Sequence, residues 1–248
     1  MRRTAVFLMS ILAAVGNARA AGFDSKLAEL DALLAVHVHE GRVDYAGLKA
    51  DRAGLDSWLA AAGAVREDEF VRRPRADRLA LLINVYNATT LRLIVEHYPV
   101  ASIRKIGAFW DPKAPWHLSV VHLFGKTMTL DDLEQGIIRP QYKEPRVHFA
   151  LVCAAKGCPP LRSQLYVGPR LDAQLDDQAR TFLSQTVKNR VDAPAKSATL
   201  SPIFKWYIAD FGGSKKSVLA FVKKWLPVQD DWDVNWSDYD WLLNENKK

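Results

Sequence analysis

Cysteine is scarce in this chain: Cys153 and Cys158 are the only two in 248 residues. Two cysteines cannot staple a small disulfide-built fold. Their C-x4-C spacing fits neither a thioredoxin-type C-x-x-C pair nor a zinc pair. Cofactor motifs are missing too. There is no G-x-G-x-x-G, no Walker loop, no G-x-S-x-G elbow and no H-E-x-x-H, so no cofactor is expected. Past the N-terminus no run reads as long and apolar enough to span a bilayer, which takes roughly 20 residues, so stable membrane insertion is not expected. Internal repeats, low-complexity tracts and linkers are absent as well.

A strong excess of one charge is also lacking. The chain has 34 basic and 28 acidic residues, and the N-terminal segment carries part of that excess. Arg2-Arg3, an apolar run over 4–16 and the small-residue pattern Ala18-Arg19-Ala20 read as a signal peptide over 1–20. Its removal takes away three basic residues and no acid, lowering the formal charge from +6 to +3. That is too small a balance for nucleic acid, whose binders carry dense basic faces. Residues 21–248 are then expected to be a soluble exported domain, periplasmic or secreted, long enough for one core.

Against this background one stretch stands out, R-V-H-F-A-L-V-C-A-A-K-G-C-P-P-L-R over 146–162. Residues 147–152 are short, apolar, rich in β-branched and aromatic types, and bounded by Pro145 and Gly157, which predicts a buried central strand. Alternation puts Val147, Phe149, Leu151 and Cys153 on one face and His148, Ala150, Val152 and Ala154 on the other. The longest predicted helix covers 77–98, where Leu79, Leu82, Ile83, Tyr86, Leu93 and Ile94 recur at helical spacing up to Pro99. Asn84 and Asn87 sit on or beside that apolar face, as backbone clamps or as the polar wall of a cleft. Thr129 opens T-x-x-D, a capping-box variant, before a helix ending at Arg139 ahead of Pro140. Glu134 and Arg139 are candidates for an ion pair across that helix end. Glu134 and Arg146 are expected to share a partly buried network beside the central strand. The fold class expected is α+β: helix-rich, with a small mixed or antiparallel sheet around the 147–152 strand.

The 146–162 run resembles the signature of a family known as domain of unknown function 547. Three further segments agree with it in order: L-L-I-N-V-Y-N-A-T-T-L (81–91), T-L-D-D-L-E-Q-G-I-I-R (129–139) and Y-D-W-L-L-N (239–244). Gln135 stands where the family often has His, which removes from this chain any role that His would carry. The resemblance implies a fold unit more than an activity.

The chemistry legible in the residues centres on sulfur. Cys153 at the end of a strand could be a thiol nucleophile, with Arg146, Lys156 and Arg162 supplying positive charge nearby in sequence. Its base would have to be His97, His117, His122 or a distant residue, because a strand places His148 on the opposite face and about 16 Å away. The competing reading joins Cys153 and Cys158 in a disulfide, which the Lys-Gly turn permits. A metal site is not expected, since H-x4-C-x4-C matches no compact zinc loop. Two functions follow. The one favoured is a non-catalytic binding or scaffold domain of the cell envelope, taking a small-molecule or peptide ligand. The alternative is a thiol-dependent hydrolase or transferase acting on a peptide, amide or ester.

Overall fold

A computed structural model describes residues 26–246, and the signal segment read at 1–20 lies outside them. A helix over 26–37 (α1) buries Leu30, Leu33 and Leu34 and leads into a hairpin of two-residue strands, β1 (Val38–His39) and β2 (Arg42–Val43). Gly41 turns that hairpin at positive φ, where an added side chain would strike Pro160. Helices α2 (Tyr45–Ala50), α3 (Ala53–Gly63) and α4 (Glu67–Arg72) follow, and Pro74 then fixes the entry to α5 (Arg75–His97).

Helix α5 is the axis of the fold. Its pattern carries apolar or small residues well beyond one stripe, and 16 of its 23 residues are buried. By length and composition it could cross a membrane, contrary to the sequence reading, yet 89% of its apolar window is covered by the rest of the protein. Next come α6 (Ala114–His117) and the hairpin β3 (Val121–Leu123) and β4 (Lys126–Met128), with β3 lying against α3 and α5. Thr129 and Asp132 cap each other, each backbone N–H donating to the other side chain at 2.9 Å. The helix they open differs from expectation. Asp132–Ile138 is a π-helical turn that does not stop before Pro140. It runs into α7 (Arg139–Tyr142), whose first turn needs no proline N–H.

The expected central strand at 147–152 is not a strand. Val147–Ala150 is one helical turn (α8), closed by Leu151 N–H donating to the Val147 carbonyl at 2.9 Å, and the chain becomes extended only from Leu151. A short apolar run reads alike in both conformations, and periodicity cannot separate them. The partners a sheet would have provided come from α5 instead. Asn87 Nδ2 donates to the Ala150 carbonyl at 2.8 Å and its Oδ1 accepts from Val152 N–H at 2.9 Å.

After α9 (Leu171–Leu183), the strands β5 (Arg190–Asp192) and β6 (Ser197–Leu200) pair antiparallel, and α10 (Ile203–Trp206) and α11 (Lys215–Val222) follow. The last strand, β7 (Asp233–Trp236), adds parallel to β6 at one edge. The class is α+β, with a small mixed sheet standing apart from the 146–162 stretch. Two apolar clusters result, one around α5 and one around Phe149, Phe182, Phe204 and β6–β7. Helix α8 joins them, giving Val147 and Ala150 to the first and Phe149 to the second.

Leu82 and Ile83 are fully buried in the first cluster. Each changed to alanine should cost about 2–5 kcal/mol in denaturant unfolding, as buried large-to-small changes do. A loss under about 0.5 kcal/mol at both would place that face of α5 at the surface.

Candidate functional site

The π-turn, α8, the loop after it, α10 and the chain tail enclose a cavity of about 690 Å³. Both cysteines line it. Cys153 is half-buried and Cys158 buried, with their sulfurs 3.1 Å apart. A disulfide bond is about 2.05 Å long, so these are two separate thiols, and the disulfide considered from sequence is not formed here. Cys153 N–H donates to Cys158 Sγ at 3.0 Å, and Tyr239 Oη lies 3.2 Å from Cys153 Sγ. These contacts split the two acidities. The hydrogen bond between the two sulfurs, with help from Tyr239 and the Ala155 backbone, outweighs burial and holds the Cys153 thiol below its ordinary value. Burial, reinforced by Cys153, pushes Cys158 well up.

His148 faces the same cavity. A strand would have turned it away from Cys153, whereas with the helical turn of α8 both residues line the cavity. Its Nε2 lies 2.7 Å from Asp210 Oδ2, and its ring stacks on Tyr207 with centroids 3.8 Å apart. Burial lowers the imidazole pKa to about 4 against the pull of Asp210, so the ring is neutral at pH 7. With Nε2–H donated to the carboxylate, Nδ1 carries the lone pair. Asp210 is fixed in turn by Arg139 through two bonds, Nε to Oδ2 at 2.7 Å and Nη2 to Oδ1 at 3.0 Å. Burial would raise Asp210, but the bonds from Arg139 and His148 win and hold it low.

Glu134 is the third ionisable centre. Only 5% exposed, its carboxyl is raised by burial, which outweighs the hydrogen bonds it accepts from Tyr207 and Tyr86. Gln135 Nε2 donates to Glu134 Oε1 at 3.3 Å, and Gln135 Oε1 accepts from Arg139.

The cavity therefore gathers Glu134, Arg139, His148, Cys153 and Cys158 and leaves out the other sequence candidates. Arg146 does not share a network with Glu134. It binds Glu144 through two bonds of 2.9 and 2.8 Å and also reaches Asp172 at 2.7 Å. Arg162 pairs with Asp177, away from the cavity. Asn84 and Asn87 hold backbone, Asn84 exchanging bonds of 2.8 and 3.0 Å with Tyr166. Glu134 and Arg139 form no direct ion pair, because Asp210 takes the guanidinium. Among the described residues no group of three or more His, Cys, Asp or Glu could hold a metal ion.

Sequence reasoning missed Tyr86, Tyr207, Asp210 and Tyr239. Tyr86 lay hidden in the apolar pattern of α5, and Tyr239 begins the quoted segment Y-D-W-L-L-N. Asp210 sits between an aromatic turn and Gly212-Gly213 with no spacing that ties it to His148.

The family described as protein of unknown function, DUF547, matches residues 71–183. The match covers less than half of the chain, which is similar to that family over this stretch. No curated protein and no solved structure matches the chain. The DUF547 match takes in α5, Glu134, Arg139, His148 and both cysteines, while Tyr207, Asp210 and Tyr239 lie beyond it. The site is thus completed by residues C-terminal to the DUF547 segment.

The His148 shift has a consequence for stability. Its folded pKa of about 4 lies below the unfolded 6.5, so the unfolded chain takes up the proton first. Stability from this group is complete above pH 6.5 and is lost as pH falls towards 4, by up to about 3 kcal/mol. Glu134, shifted upward, works in the opposite direction, and comparison with His148→Gln cancels it. Unfolding at pH 7 and pH 4.5 should show a larger acid loss in the wild type than in His148→Gln. Equal losses would mean His148 is not held neutral.

Proposed function

We propose that this protein is an exported thiol-dependent hydrolase or transferase, with Cys153 attacking the carbonyl of a peptide, amide or ester. One observation carries the reading: a thiol of lowered pKa shares a cavity with a neutral histidine oriented by a carboxylate. The scaffold reading rested on cysteines joined as a disulfide in an exported chain and on a strand that turned His148 away; the thiols are separate and the strand is absent.

In this mechanism the Cys153 thiolate, stabilised by Cys158 and Tyr239, adds to the substrate carbonyl and forms a thioester as the leaving group departs. His148 Nδ1 takes the thiol proton and returns it to the leaving group, while Asp210 stabilises the imidazolium. Arg139 is a positioning residue, since it acts through Asp210. Water or a second nucleophile then resolves the thioester. Trp116, Trp206 and Trp241 on the cavity wall, with Arg104 over the Trp241 ring at 4.9 Å, suit a flat or apolar acyl portion beside an anionic group.

Reduced protein mixed with p-nitrophenyl acetate should release a burst of up to one p-nitrophenol per chain and carry one acetyl group on Cys153. The burst should vanish in Cys153→Ser and slow by about 100-fold in Asp210→Asn, at the low end of general-base contributions. Hydrolysis unchanged in Cys153→Ser would overturn the proposal and return the cavity to a binding role.

A further inference from the structure

We infer that Cys153 and Cys158 also work as an exchanging dithiol, with low-molecular-weight disulfides as substrates: Cys153 attacks and Cys158 resolves. This goes beyond acyl chemistry and rests on the sulfur geometry and the loop that carries it. Cys153 reaches the cavity, and Cys158 Sγ lies buried 3.1 Å from Cys153 Sγ, within reach of attack on that sulfur once it is bonded to another. Closing to a bond of about 2.05 Å takes a movement of roughly 1 Å.

The loop between them is shaped for that short movement and little else. Ala154 adopts a left-handed φ of 60°, folding the chain back so that Cys153 N–H meets Cys158 Sγ at 3.0 Å. The tail holds it there. Lys156 N–H donates to the Leu242 carbonyl at 2.8 Å, Gly157 N–H to the Asp240 carbonyl at 2.8 Å, and Asn244 N–H to the Ala154 carbonyl at 2.9 Å. Beyond Cys158 the consecutive prolines Pro159-Pro160 stiffen the exit, and Lys188 Nζ donates to the Cys158 carbonyl. These bonds fix the backbone that carries both thiols, so a mixed disulfide on Cys153 has its resolving thiol within reach. The acidity order agrees with the roles: the cavity thiol is the lower of the two and the buried one the higher.

The exchange balances as follows. The Cys153 thiolate attacks one sulfur of R–S–S–R, forming Cys153–S–S–R and releasing one R–S⁻. Cys158 gives its proton to that thiolate and attacks Cys153 Sγ, which forms the Cys153–Cys158 disulfide. The second R–S⁻ leaves and is protonated from solvent. Two electrons pass from the cysteine pair to the reagent, whose two halves depart as thiols. The oxidised protein has no nucleophile, so exchange also switches off acyl transfer.

Cystamine is the probe, with intact mass as the readout. Reduced wild type should end lighter by two hydrogens with no adduct and two cysteamines released. Cys158→Ser should keep one cysteamine on Cys153, and Cys153→Ser should remain unmodified over the same time. A stable cysteamine adduct on the wild type, or no reaction, would overturn the inference. So would a native disulfide that reductant opens only after denaturation, which would make the pair a structural staple. The acetylation burst is read separately on reduced wild type. A burst without disulfide closure removes the exchange alone, and closure without a burst removes the acyl reading alone.

Discussion

Two asparagines on one buried helix hold the cysteine segment in place, and the geometry of the site depends on them. Asn87 exchanges two hydrogen bonds with the backbone of Ala150 and Val152, and Asn84 does the same with Tyr166. The chain between these points is irregular and buried, so its N–H and C=O groups have no ladder of their own and must still be paired. Side-chain amides supply what a neighbouring strand would have supplied. Gln174 repeats the device from α9, accepting from Val167 N–H at 2.9 Å and donating to the Leu165 carbonyl at 2.8 Å. Each clamp lost would leave buried groups unpaired at about 1–3 kcal/mol apiece, and Cys153 stands one residue from the Asn87 clamp.

On that frame four ionisable groups in or beside one cavity are driven in different directions. Burial alone would neutralise all of them. It succeeds at His148, and it raises Glu134 against two tyrosine hydroxyls. At Asp210 and Cys153 specific hydrogen bonds outweigh it, from Arg139 and His148 in one case and from Cys158 and Tyr239 in the other. The proposed mechanism draws on this distribution, a neutral histidine and a thiol of lowered pKa lining one cavity. Arg139 supports it from a distance by holding the carboxylate that orients the base.

The sequence revealed the parts of this arrangement that are local. The apolar recurrence of α5 and the reciprocal cap of Thr129 and Asp132 both follow from periods and capping residues. The run 147–152 misled because a short, largely apolar stretch satisfies both a strand and a helical turn, and the deciding partner, Asn87, lies some sixty residues away. That one error carried His148 to the wrong side of Cys153. Asp210 and Tyr239 were illegible for a related reason: they reach the site from 62 and 86 residues further along, through a turn and a tail with no periodic pattern. Arg146 and Arg162, which the sequence offered as positive charge near the thiol, pair with Glu144, Asp172 and Asp177 instead.

The central claim is that Cys153 is an acidified thiol because Cys158 and Tyr239 hydrogen-bond its sulfur. The pH dependence of Cys153 alkylation by iodoacetamide in reduced protein measures it directly, in the wild type and in Tyr239→Phe. The account requires a midpoint below the value of about 8.5 for an unperturbed cysteine, moving upward when the Tyr239 hydroxyl is removed. A wild-type midpoint at or above that value would contradict it.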